Sequence, residues 1–172
     1  MKSLIEKLLL FLVKIKKREE ESFNPYNISN DISKLLIMLP EDEELIKEVI
    51  VSIHSIQKNI SKTFLVEKRF SDIVVSNKET TLIVYSKEDK SIFKLPKKSL
   101  IKRIKQKNFD TVIDCNLKDS VFHYWILKNV FFKYRIAFYK NNSEVFNNLV
   151  LKLNSEQNSD EAYKKLFSLI NL

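Results

Sequence analysis

Between residues 34 and 139 the sequence alternates apolar runs of strand length with stretches whose apolar residues recur at helical spacing, and no other feature restricts the fold as much. KLLIML (34–39), TFLV (63–66), TTLIVYS (80–86), FDTVIDC (109–115) and KYRIAFY (133–139) read as strands, the first with the continuous apolarity of one buried on both faces. EDEELIKEVIVSIHSIQKN (41–59) opens with acids that complement a helix N-terminus and continues with an apolar stripe. PKKSLIKRIKQKN (96–108), with Pro96 near its start, and KDSVFHYWILKNV (118–130) read as further helices, and FSDIVV (70–75) as a short helix or connecting segment. Strand, helix, strand in this order specifies a parallel sheet, because parallel neighbours need a long crossover. The expected fold is α/β, a single Rossmann-like doubly wound, mainly parallel sheet with an amino-terminal amphipathic helix.

That first helix spans residues 1–20, with Leu4, Ile5, Leu8, Leu9, Phe11, Leu12 and Ile15 at helical spacing. From Lys2 to Arg18 it would be about 25 Å long and is interrupted by Glu6, Lys7 and Lys14, which suits a membrane span poorly. No small-residue cleavage site follows it, the only alanines being Ala137 and Ala162, so a cytoplasmic protein is expected. Leu4, Leu8, Phe11 and Leu12, with Lys16, Lys17 and Arg18, form a candidate contact for a protein partner, for self-association, or for the anionic inner face of a membrane. Residues 21–33, polar and containing Pro25, read as a linker. The Rossmann-like domain is expected over 34–141. A carboxy-terminal extension follows over 142–172, where NNSEVFNNLVLKLN suits a short helix or strand and SDEAYKKLFSLINL (159–172) a capped amphipathic helix.

The composition narrows the chemistry. With 172 residues, 44% of them hydrophobic, the chain can bury one real core. It contains no glycine, so Walker loops, GxGxxG fingerprints and GxSxG elbows, all of which need residues without a Cβ, are excluded. One cysteine and two histidines leave no basis for a structural zinc site or disulfide framework, and no cofactor is expected. The formal charge of +8 favours anionic neighbours, but Lys, Asn, Ile and Phe are abundant along the whole chain, so the charge reads as a general bias.

The order of a basic helix, then NFDTVIDCN, a helix, and KYRIAFYKNNSEVF resembles the amino-terminal half of glycosyltransferases of the ADP-heptose:lipopolysaccharide heptosyltransferase type. There a segment close to YDVVIDL precedes a helix and a strand close to RIGF. Phe109, Asp110, Val112, Ile113 and Asp114 match the first motif, and Arg135, Ile136 and Phe138 the second, with Ala137 in place of glycine. The resemblance runs from about Lys34 to Phe146 and supports fold more than activity. It implies two facing Rossmann-like domains, the carboxy-terminal one holding the donor, and this chain has room for the first alone. It also implies a catalytic base on a glycine-containing loop after the first strand. Here that strand runs into LPEDEEL, without glycine, and Glu44 is the acid nearest the expected offset. A degenerate, non-catalytic half acting in protein interaction or assembly is therefore expected. The alternatives are the acceptor-binding half of a split glycosyltransferase and a basic nucleic-acid-binding module.

Open α/β sheets bind ligands beyond the carboxyl ends of their strands. Glu44, Asp114, Asn116 and Lys118 are the candidate lining of such a site. The plainer reading has Asn116 and Asp119 capping the next helix and Asp114 bonding nearby amides. Cys115 and His123 invite a thiol–base pairing, but one ends a strand and the other lies more than a turn into the next element; a small buried residue and an ordinary helix histidine are expected instead. His54, beside an apolar helix face, is read as structural. Phe122, Tyr124, Trp125, Phe131, Phe132 and Tyr134 are expected in the core with Trp125 as largest anchor, and the lysines of 97–107 as a solvated helix face rather than a nucleic-acid patch.

Overall fold

The structure, a computed structural model, describes Lys7, Leu10, Phe11 and residues 31–53, 60–75, 81–154 and 158–169. In chain order the elements are β1 (Lys34–Met38), α1 (Glu43–Ile53), β2 (Ser61–Glu67), α2 (Ser71–Val75), β3 (Thr81–Tyr85), α3 (Lys98–Lys105) and β4 (Thr111–Asp114). These are followed by α4 (Val121–Asn129), β5 (Tyr134–Phe138), α5 (Ser143–Phe146), β6 (Leu149–Leu151) and α6 (Ser159–Ser168). The strands form one six-stranded sheet in the order β3-β2-β1-β4-β5-β6, and every pairing is parallel. The chain winds outward in both directions from the β1–β4 pair, which makes the crevice beyond those two strands the topological switch point.

Alternation along β1 sorts the core into two layers. Leu35, Ile37 and Leu39 face one side, where Ile46, Val49 and Ile53 of α1 and Ala162, Tyr163, Leu166 and Phe167 of α6 cover them. Leu36 and Met38 face the other, beneath Leu100, Ile101 and Ile104 of α3 and Phe122, Tyr124, Ile126 and Leu127 of α4. Asp110, from the motif behind the resemblance, ties the strand starts together. Its Oδ2 accepts from the Ser33 amide (3.0 Å), the Ser33 hydroxyl (2.8 Å) and the Lys34 amide (2.8 Å).

The segment after residue 141 contains both alternatives read from its sequence, a helix and then a strand. β6 pairs with β5 through Ile136↔Leu149, Ala137↔Val150 and Phe138↔Leu151. α6 then returns over α1, so these residues supply an edge strand and a covering helix to the same sheet. FSDIVV resolves into a 3-10 turn followed by α2. α4 starts at Val121 rather than near 118, because the Ser120 hydroxyl caps it by accepting from the His123 amide at 3.3 Å.

With no glycine available, the left-handed backbone positions fall to Lys94 (φ 59°) and Asn108 (φ 51°). Asn108 follows the end of α3, where helices commonly end on a left-handed residue. Of the aromatic group, Phe122, Tyr124, Phe132 and Tyr134 are buried as expected. Trp125 is not the main anchor: it is only partly buried, Tyr124 takes that place, and Phe131 is exposed.

Lys7, Leu10 and Phe11 are helical, and Leu10 packs against the α3–α4 side of the core. Leu4, Leu8, Leu12, Lys16, Lys17, Arg18 and His54 lie outside the described residues, as does most of the 21–33 segment. Among the described residues no helix is long and apolar enough to cross a membrane.

Candidate functional site at the strand tips

Asp114 ends β4 at the switch point, and its carboxylate is completely buried. Its Oδ2 accepts from Lys140 Nζ at 2.6 Å, and Oδ1 from His123 Nδ1 at 2.9 Å, Asn116 Nδ2 at 2.8 Å and the Asn116 amide at 3.2 Å. A carboxylate at that distance from Nδ1 places the ring proton there. The Asn116 side-chain Nδ2, also 2.5 Å from Nδ1, therefore donates to Asp114 Oδ1 rather than to the ring. Burial is the largest single influence on Asp114 and opposes its ionised form. The Lys140 ammonium, His123 and Asn116 together outweigh it and hold the carboxyl well below the usual carboxylate range. With both oxygens engaged and the Lys140 and His123 side chains 3% and 2% exposed, this group is sealed rather than poised to accept a substrate proton.

A second network closes the tips of β1, β2 and β3. Glu41 Oε1 accepts from Lys90 Nζ at 2.9 Å and from the Tyr85 hydroxyl at 3.2 Å. Glu67 Oε2 lies 3.3 Å from Arg69 Nε and 3.7 Å from Lys90 Nζ, and Arg69 reaches the Glu41 carbonyl at 3.5 Å. Lys90 Nζ also sits over the Tyr85 and Phe122 rings, 5.0 and 5.3 Å from their centroids. Burial is again the largest influence on Glu41 and raises its pKa, but Lys90 prevails and leaves it below the usual value. Burial, reinforced by Glu41 and Glu67, pushes the Tyr85 hydroxyl far up.

Beyond β4 and β5 a cavity of about 380 Å³ is lined by Lys7, Leu10, Phe11, Asp119, Asn141 and Asn142. The Asp119 carboxylate accepts from the Tyr124 hydroxyl and, at 2.9 Å, from Asn142 Nδ2. The amino-terminal helical residues thus lie against the end of the sheet where ligands of such folds are held.

The structure therefore separates the residues singled out from the sequence. Asp114 and Asn116 meet, but in a sealed network. Lys118 is exposed. Glu44 lies on the first turn of α1, its side chain 81% exposed and 3.1 Å from Lys47 Nζ, and the acid tied into the crevice network is Glu41, three residues earlier. Asn116 and Asp119 do not cap α4; that is done by Ser120. His123 pairs with Asp114, not with Cys115, and is more than an ordinary helix histidine. Cys115 is buried, its carbonyl accepts from the Tyr163 hydroxyl at 2.9 Å, and burial pushes its thiol well up. Iodoacetamide should leave Cys115 unmodified in the native protein and label it fully once urea has unfolded the chain; rapid native labelling, read by mass spectrometry, would contradict this placement. Lys140, Glu41 and Lys90 were not singled out at all. One signal did exist for Lys140: it follows β5 closely while Asp114 ends the neighbouring parallel strand, so base and acid fall at adjacent tips. Among the described residues no three His, Cys, Asp or Glu side chains form a group that could hold a metal ion.

The sheet order and its switch-point crevice define a single Rossmann-like α/β domain, and two solved glycosyltransferase structures superpose on it. Heptosyltransferase WaaC of E. coli, solved with ADP, superposes with a TM-score of 0.64 at 14% identity, over 78% of this chain and 46% of that one. A family 9 glycosyl transferase of Veillonella parvula superposes with a TM-score of 0.66 at 12% identity, over 88% of this chain and 43% of its own. The chain thus has a glycosyltransferase-like, heptosyltransferase-like fold and spans less than half the length of either relative, as a single half of such a protein would. No family profile and no curated protein matches the sequence.

Proposed function

We propose that this chain is a non-catalytic glycosyltransferase-like domain that acts in protein interaction or assembly. The observation that carries this reading is the state of Asp114: the acid at the switch-point crevice is fully buried and bonded at both oxygens by Lys140, His123 and Asn116. A general base must reach the acceptor hydroxyl, and Asp114 could do so only by leaving a buried ammonium behind. The neighbouring tips are occupied by the Glu41, Lys90 and Glu67 network. Exposed apolar side chains, Phe11 at 59%, Tyr139 at 49% and Val145 at 56%, lie on or beside the segments framing the cavity at β4 and β5, which suits a protein contact there. Sedimentation equilibrium should show association of the wild-type chain that weakens at least tenfold in Phe11→Asp with Val145→Asp, both exposed positions. A wild type that stays monomeric at high concentration, or an unchanged association constant in the variant, would remove self-association through this face.

A second reading, the acceptor-binding half of a split transferase, is favoured by the cavity itself. Asn141, Asn142 and Asp119 offer amide and carboxylate groups to one small hydroxylated molecule. Saturable binding of a sugar phosphate that is lost in Asn142→Ala would support it over the first.

A further inference from the structure

We infer that the turn between Ser91 and Lys94 is a membrane-surface anchor, which inserts Ile92 and Phe93 between the headgroups of an anionic bilayer. Ile92 is 91% exposed, the highest value among the exposed large apolar side chains of the described residues, and Phe93 beside it is 54% exposed. They are held out by a turn that is thoroughly bonded from below. The Lys94 amide donates to the Ser91 carbonyl at 2.8 Å, the Ser91 amide to the Leu95 carbonyl at 2.8 Å, and the Lys97 amide to the Asp89 carbonyl at 2.8 Å. Lys90 bridges Pro96 across the base, Leu95 and Pro96 are buried, and Lys94 takes the left-handed conformation that closes the turn. Two adjacent apolar side chains are thus presented on a stiff support, and no self-packing within the described core clusters includes them.

Charge identifies the occupant. From Lys87 to Lys105 the chain carries eight basic residues against two acids, Glu88 and Asp89. Asp89 is engaged by Arg103 at 3.2 Å and by the Ser86 amide at 3.0 Å, and Glu88 accepts from the Ser86 hydroxyl at 3.2 Å. Lys87, Lys94, Lys97, Lys98, Lys102 and Lys105 are exposed and form no salt bridge among the described residues. On α3 the buried Leu100, Ile101 and Ile104 turn Lys98, Lys102 and Lys105 outward. Lys90, at the base of the turn, is engaged by Glu41 and Glu67, which leaves the exposed lysines to set the charge of this surface, while Glu43 and Glu44 lie on α1, which covers the other face of the sheet.

An apolar point flanked along the chain by exposed lysines is a pattern that binds an anionic interface, where insertion and electrostatic attraction add. Two protruding side chains would bury far less than the roughly 1,000 Å² that a specific protein interface needs. A single-strand-binding surface would present stacked aromatic rings, and the foremost residue here, Ile92, has no ring. The inference does not depend on whether the domain is catalytic, and it is distinct from a contact through the amino-terminal helix.

The test is sedimentation of the full chain with vesicles of phosphatidylcholine mixed with phosphatidylglycerol, beside pure phosphatidylcholine. Wild type should partition onto the anionic vesicles only and be released by salt. Ile92→Ser with Phe93→Ser should weaken partitioning at least about tenfold, as should Lys97→Glu with Lys98→Glu. Both variants should keep the wild-type melting temperature, because all four positions are exposed. The inference is overturned by a wild type that ignores anionic vesicles, by one that binds neutral vesicles equally, or by undiminished binding of the Ile92 and Phe93 variant. Preferential binding to a single-stranded oligonucleotide that Phe93→Ser abolishes would overturn it too.

Discussion

Asp114→Asn should destabilise the protein by about 3–5 kcal/mol, because it leaves the Lys140 ammonium buried beside a neutral amide. For a chain of this size the melting temperature should fall by about 10 °C or more. The double variant Asp114→Leu with Lys140→Met should recover much of the loss, since apolar replacement of a whole buried pair is often neutral. This pattern separates a sealed ion pair from a merely large side chain. The pH dependence has a definite sign. The folded-state pKa of Asp114 is depressed, so its stabilisation is fully present above the unfolded value of about 3.9 and is lost as pH falls below that toward the folded value. The stability gap between wild type and Asp114→Asn should therefore be constant near neutrality and shrink once pH drops below about 4. A gap that widened with acid, or a variant as stable as wild type, would show that Lys140 and His123 do not stabilise the ionised carboxylate.

Phe167→Ala, in the last turn of α6, should cost about 3–5 kcal/mol. Its side chain is fully buried in the layer formed by α1 and α6, where Ala162, Tyr163 and Leu166 accompany it. Urea titration should show one transition with a lower midpoint and an unchanged slope, since α6 covers the sheet and should unfold with it. An early separate transition, or a main midpoint that stays put, would instead make α6 an appendage to an independently stable sheet.

Four of the five strands read from the sequence were legible because they are largely buried on both faces, and continuous runs such as KLLIM and YRIAF admit little else, while the edge strand β3 is half-buried on one face and shows in its β-branched and aromatic run. β6 was harder for a physical reason. It is a three-residue edge strand, half-buried throughout, and too short to display a period. In the site, Asp114 was legible as the polar end of an apolar run, but its partners were not. Lys140 lies 26 residues away and His123 nine, and only the parallel β4–β5 pairing and the crossover through α4 bring them together. The place of Glu41 in the tip network was illegible for a related reason. A linear offset cannot show that α1 begins at Glu43, and a residue on its outer first turn points to solvent while the one just before the helix stays against the sheet tips. Ser120 was overlooked as a cap because Asn116 and Asp119 are equally good formers of that motif, and nothing local distinguishes which of them precedes the first helical residue.

The proposed function requires that the strand-tip crevice, occupied by the Asp114 and Glu41 networks, hold no activated sugar. Titration calorimetry of the purified chain against nucleotide-diphosphate sugars, with an assay for glycosyl transfer on the same material, tests this most directly. The expected result is no saturable heat at millimolar ligand and no transfer above the uncatalysed background. Micromolar binding accompanied by turnover would contradict it, because a sugar nucleotide could enter only if the Asp114 and Glu41 networks opened.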